Sequence, residues 1–286
     1  MAATSPDTWA FVSGRYHMVD LDFGIRSDDA VTAEFLDRLL APFRAEGEPV
    51  HWYEHTTVMD EGLPRVIALL DGQRILQPRP TGFIGLFLWH LNQRVMLDTR
   101  SALAIHAAVV ARDGDAVVIP GGPDAGKSTL AAALVEAGFD FLSDEAALLR
   151  LGDAAVVPYR RWLSVQAGSW PLLPWLRPTP ELAYEHEARG QWLIPADDLS
   201  PDPGPCPAVA VVFPKQTPGT PARLVHRSRA GTVRELARHT TNLGALGVSG
   251  FNALARACSQ ATCWDLELDG LEAAVATIDR LVTKGA

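Results

Sequence analysis

The run "AVVIPGGPDAGKS", residues 116–128, does most to limit what this chain can fold into. An apolar stretch of β type, a glycine-rich turn and then helical spacing read as strand, loop and helix, and residues 121–128 fit G-x-x-x-x-G-K-[ST]. Glycines let backbone N–H groups turn inward around an anion, and the helix after them adds its positive end. The predicted phosphate cradle comprises Gly121, Gly122, Pro123, Asp124, Ala125, Gly126, Lys127, Ser128 and Thr129. Lys127 is of a length to reach terminal phosphate oxygens, and the Ser128 hydroxyl can complete the shell of a Mg²⁺ ion.

The residues just beyond the loop narrow the chemistry. A helix is predicted from about Ser128 to Ala137, with Gly138 as its C-terminal cap, then a strand "FDFLS", then Asp144 and Glu145. That spacing leaves room for one helix and one strand, which predicts a right-handed β-α-β crossover between neighbouring parallel strands. The acids would then share a sheet edge with the loop, where ligands of open α/β sheets collect. One carboxylate can bind a metal while the other accepts a proton from an incoming hydroxyl. Upstream, "LAIHAAVVARDGDAVVIP" predicts a hairpin turned at Asp113-Gly114, which would fold His106 back beside Gly121.

These residues resemble the HPr kinase/phosphorylase superfamily, in particular its HPr kinase-related branch. "IHAAVV", "GGPDAGKST" and "GFDFLSDE" stand at the spacing that family uses for its histidine, its phosphate loop and its paired acids. The tail from "AVVFPKQ" to "LEAAVATIDRL" is similar too, so the likeness extends over most of residues 101–286. It implies an α/β fold: a P-loop kinase domain of HPr kinase type, with a hairpin leading into the loop and a mixed sheet flanked by helices. It also implies ATP and Mg²⁺ as cofactors. By the same resemblance Asp144 is the base that activates the acceptor hydroxyl, Glu145 sits near the metal with Ser128, and His106 assists charge at the site. Glu145 is one methylene longer than the family's usual Asp. The Arg/Gly-rich signature that comes after the acids in true HPr kinases has no counterpart here, so phosphorolysis and HPr itself are not implied. A homo-oligomer would be in keeping with the family.

Other features are weaker. Lys215 comes just after a buried-looking strand, "AVVFPKQ", from which a cation can meet the phosphates during transfer. "VPYRRWLSVQAGSWPLLPWLRP" gathers Arg160, Arg161, Trp162, Trp170 and Trp175, and such a long irregular stretch reads as a mobile, aromatic-lined lid or acceptor groove, with a core-covering loop as the alternative. His51 and His55 of "HWYEH" fall on one face of a strand, too far apart for a tight metal site without a third ligand. Arg234 and His239 read as solvated on a surface helix.

Residues 1–100 read as a smaller N-terminal α+β lobe and 101–286 as the ATP-binding catalytic domain. A formal charge of −9 disfavours a general nucleic-acid or membrane-surface binder. Cys206, Cys258 and Cys263 share no metal-ligand spacing, and their odd number suits a reduced, cytoplasmic compartment. The N-terminus lacks the basic start and apolar core of a signal peptide, and "TGFIGLFLWHLNQRVM" is too short a run to span a bilayer. The expected activity is therefore a kinase acting on Ser or Thr of a small protein or peptide. A nucleotide-operated switch and a small-molecule hydroxyl kinase remain the alternatives.

Overall fold

The computed structural model describes residues 8–60, 63–76, 83–176, 183–186 and 189–283. The chain divides into two units, Met1–Asp98 with Pro178–Leu193, and Thr99–Arg177 with Ile194–Ala286. Residues 178–193, which the sequence places in the catalytic domain, thus group with the first unit. Among the described residues no helix is long and apolar enough to cross a membrane.

In the first unit, strands β1 (Phe11–Val12), β2 (Arg15–Met18) and β3 (Leu21–Ser27) precede helix α1 (Ala30–Leu39). Strands β4 (Arg44–Ala45), β5 (His51–Asp60), β6 (Leu63–Leu70) and β7 (Gln73–Leu76) and helix α2 (Phe83–Asp98) come after it. The strands form one sheet in the order β4-β2-β3-β5-β6-β7, with β1 on β3. Asp29 caps α1 by accepting from Val31 N, and the turn between β6 and β7 has Asp71 and Gly72 both at positive φ, as a two-residue hairpin requires. Tyr16, Phe23, Tyr53 and Phe87 stack through the core at ring separations of 5.3, 5.4 and 5.2 Å.

The second unit opens with β8 (Ala102–Arg112) and β9 (Asp115–Pro120), an antiparallel hairpin turned by Asp113 (φ 53°) and Gly114 (φ 83°). Helix α3 (Lys127–Glu136), β10 (Asp140–Ser143), β11 (Ala146–Arg150), β12 (Val156–Val157) and β13 (Leu163–Gln166) come next. In chain order a short hairpin of β14 (Ala183–His186) and β15 (Arg189–Ile194) then precedes β16 (Ala208–Gln216) and β17 (Arg223–His226). Helices α4 (Arg229–His239) and α5 (Leu243–Gln260), strand β18 (Thr262–Leu268) and helix α6 (Leu271–Thr283) complete the chain. The main sheet runs β12-β11-β8-β9-β16-β18-β17, with β10 also on β8.

This order corrects the predicted crossover. β10 does not neighbour β9; both β10 and β11 pair antiparallel with β8, and the parallel neighbour of β9 is β16. Because β8 is antiparallel to β9 as well, β10 still runs in the direction of β9, one strand removed. The first strand of the hairpin takes the place expected for the acid-bearing strand.

Strand β8 is apolar almost throughout, as a strand covered on both faces must be. Leu103, Ile105 and Val109 pack with Leu236, Leu254 and Cys258 of α4 and α5, while α3 also lies on β8. Asn242 ties the start of α5 to this strand: its Oδ1 accepts from Ala104 N at 2.9 Å, and its Nδ2 donates to Thr99 O and Ala102 O at 2.9 Å each. Asn242 is buried, so its truncation strands three backbone groups. We expect Asn242→Ala to lower unfolding free energy by about 2–4 kcal/mol, read from urea denaturation; a loss below about 1 kcal/mol would show that Asn242 does not pin α5 to β8.

Candidate functional site

The loop between β9 and α3 is bent by two residues in the left-handed region, Asp124 (φ 58°) and Gly126 (φ 76°). Gly126 is the N-cap of α3 and no side chain caps the helix there, so its first-turn amides are left for an outside acceptor. A Cβ on Gly121 would stand 3.0 Å from that of Ala125, whereas none would meet anything at Gly122, which faces open space. Lys127 is buried and its Nζ donates to Gly122 O at 2.8 Å. Burial pulls the Lys127 ammonium below its usual range, opposed by Glu145, Asp144 and Asp124. Thr129, one residue into the helix from Ser128, shares a 2.7 Å hydrogen bond with Ser169 Oγ. Pro123 sits in the same turn.

The acids arrive from the end of β10. Ser128 Oγ donates to Asp144 Oδ2 at 3.1 Å, and Ser164 N donates to the same oxygen at 3.0 Å. Asp144 is 2% exposed. Arg161 stands between the two carboxylates, its Nη2 2.8 Å from Asp144 Oδ1 and 3.1 Å from Glu145 Oε2. His106 closes the other side of Glu145, with Nδ1 3.3 Å from Oε1 and 3.1 Å from the Glu145 carbonyl. β8 brings it there through the register Ala146↔His106 on one side and Ala107↔Pro120 on the other. His106, Lys127, Ser128, Asp144 and Glu145 therefore converge, joined by Arg161.

The environments of the two acids diverge. Burial raises the Asp144 carboxyl above the usual range, and Arg161 only partly offsets it. Burial acts on Glu145 in the same sense, but the His106 hydrogen bond and the charges of Arg161, His106 and Lys127 outweigh it and bring the group to about 2. Adjacent carboxylates held at different proton affinities are a common basis for divided acid and base roles. Asp144 Oδ1 thus faces the Arg161 guanidinium, and among the described residues Arg161 Nε is buried without a hydrogen-bond partner.

Three expectations change. The Ser128 hydroxyl meets Asp144, not Glu145, so the expected Ser128–Glu145 pair of metal ligands is not what the contacts join; Glu145 is occupied by His106 and Arg161. Lys215 is not gathered in: its side chain is 68% exposed and lies 4.0 Å from Glu267. The Trp/Pro-rich stretch is not a lid along the part that touches the site, because Tyr159, Arg160, Arg161, Trp162 and Leu163 are all buried. Arg160 donates to the carbonyls of Phe141, Pro201, Ala196 and Ser200, which fastens the segment beside β10. Arg177 and Pro178, at its end, lie outside the described residues.

Sequence alone groups Arg161 with the lid, and nothing in its spacing links it to the acids. His239, expected to be solvated, is half-buried 3.7 Å from Glu235; burial pulls its imidazole down, Glu235 opposes this, and the charges of His106 and Lys127 add to it. Arg234 is exposed, as expected. His51 pairs with Asp71 and His55 with Ser27, so they share no ligand. No group of three or more metal-ligating His, Cys, Asp or Glu occurs among the described residues.

No family model matches this sequence, and no curated protein matches it. Among solved structures it is similar to the Hpr(Ser) kinase/phosphatase from Coxiella burnetii, at 13% identity and a TM-score of 0.29, over 64% of this chain and 95% of that chain. The likeness is a distant one, and the chemistry of the site is read from its own side chains.

Glu145 links the site to acid stability. Its carboxylate is held near 2 against an ordinary 4.5, so it stabilises the fold above pH 4.5 and that contribution disappears as pH falls toward 2. Urea midpoints at a series of pH values should show wild type losing more across this window than Glu145→Gln, by on the order of 1–3 kcal/mol. Parallel curves for the two proteins would remove Glu145 as the cause.

Proposed function

We propose that this chain is an ATP-dependent phosphotransferase that moves the γ-phosphoryl group to the hydroxyl of Ser or Thr in a small protein or peptide. The observation that carries the reading is the hydrogen bond from Ser128, at the start of the phosphate-loop helix, to a buried carboxylate of raised proton affinity, Asp144. In this reading the free amides of the loop and the Lys127 ammonium hold the phosphates and take up negative charge as it develops. The hydroxyl and phosphate oxygens suit a hard cation, so Ser128 would hold Mg²⁺ through a lone pair while its O–H goes on donating to the Asp144 carboxylate at Oδ2. Bound there, the ion would neutralise phosphate charge. Asp144 Oδ1, whose near polar neighbour is the Arg161 guanidinium, takes the proton of the acceptor hydroxyl as that oxygen bonds to the γ-phosphorus and the bond to the β-phosphate oxygen breaks, releasing ADP. Glu145 stays ionised and fixes His106 and Arg161, and Arg161 steadies the charge next to Asp144.

A second reading, a nucleotide-operated switch, is favoured by the burial of Asp144, which leaves little of it open to a bulky acceptor. Transfer of labelled γ-phosphate separates the two. Asp144→Asn should lower transfer by about 10²–10⁴-fold and change nucleotide affinity by less than about fivefold. Wild-type transfer should rise with pH through a value above the usual carboxylate range, a limb the Asn protein lacks. Equal transfer by both proteins removes Asp144 as the base. Nucleotide-dependent partner affinity without any labelled acceptor selects the switch.

A further inference from the structure

The phosphate loop has two flanks. On one, β8 leads to the acids at the end of β10; on the other lies β16, with β18 beyond it. An extended phosphate chain lying in the loop with its terminal group toward Asp144 must leave the loop at the second flank. There, against Gly126 and Thr129, the protein has a cavity of about 340 Å³. Its size falls within the roughly 300–1,000 Å³ typical of small-molecule sites. A larger cavity of about 710 Å³ opens near Val209, Thr262 and Arg280, at the other end of β16 and away from the loop.

The lining joins apolar walls to a few polar groups, among them Ser169, Gln216 and Asp269. Pro214 at the end of β16, Leu268 at the end of β18 and Leu271 at the start of α6 supply apolar walls, and Leu172 supplies a further one. Leu172 is 57% exposed. Gln216 gives a single amide with both a donor and an acceptor, the pairing that matches the edge of a purine. Its Nε2 lies 4.0 Å from where a Cβ on Gly126 would stand, so the amide is next to the loop. A lysine or arginine in the same place would have pointed to a further phosphate instead.

We propose that this cavity holds the purine base and ribose of the nucleotide, with the Gln216 amide on the edge of the base and Leu172, Pro214 and Leu271 against its faces. The inference rests on the phosphotransferase reading for the placement of the phosphates. It adds the source of nucleoside recognition.

Calorimetric titration of the full chain with Mg²⁺-ATP and with Mg²⁺-tripolyphosphate tests it, using wild type, Gln216→Ala and Leu271→Trp. Gln216 is exposed and its truncation removes no core contact; Leu271→Trp fills the cavity. Wild type should bind ATP about tenfold or more tightly than tripolyphosphate. Each variant should lose about fivefold or more in ATP affinity while tripolyphosphate affinity stays within about twofold. Equal affinity of wild type for the two ligands overturns the nucleoside site and leaves the loop reading standing, as does unchanged ATP affinity in Gln216→Ala together with any folded Leu271→Trp. If neither ligand binds folded wild type, the phosphate-loop reading falls, and the nucleoside site with it.

Discussion

Two adjacent carboxylates, one buried and one half-buried, share one buried guanidinium, and the candidate site depends on that arrangement. Taking an ionised acid out of water costs several kcal/mol unless a partner offsets it. Arg161 is that partner for both Asp144 and Glu145, and it is itself buried, so each of the three charges needs the others. The cluster also explains why the segment before β13 is held so firmly. Arg160 directs its donors to four backbone carbonyls, and this fixes the neighbouring Arg161 relative to the end of β10. A lone arginine on a mobile loop would give up too much side-chain entropy to hold two acids in one geometry.

The hairpin supplies the rest. By lying between β9 and β10, strand β8 sets the spacing between loop and acids, and its alternation turns Leu103, Ile105 and Val109 into the core under α5 and leaves His106 on the opposite face. The histidine is thus fixed by strand register on both sides, not by a flexible loop. One carboxylate, Glu145, is then held ionised by its neighbours while burial raises the other, Asp144, and this separation gives two adjacent carboxyls different proton affinities.

How much of this can be read from the chain differs by element. The hairpin at Asp113-Gly114, the loop, α3 with Gly138 beyond its end, and the placing of His106 beside Gly121 all derive from local patterns: turn residues that accept positive φ, and alternating or helical spacing of apolar side chains. The insertion of β8 between β9 and β10 does not, because a β-α-β spacing is the same whether or not a third strand separates the two. Lys215 reads as a site residue for the same reason: sequence places it at the right end of a strand but says nothing of which way a long side chain leans.

The sequence alone determined that a strand, a glycine-bearing turn and a helix would present free amides, a lysine and a hydroxyl to an anion, since backbone conformation at Asp124 and Gly126 is a local matter. It also determined that two acids would end the next strand. Which acid meets Ser128, which is tied to His106, and that Arg161 joins them were decided only by tertiary structure, because these depend on burial and on contacts between residues brought together by sheet order. Those are sums over the whole fold, and no window of the chain contains them.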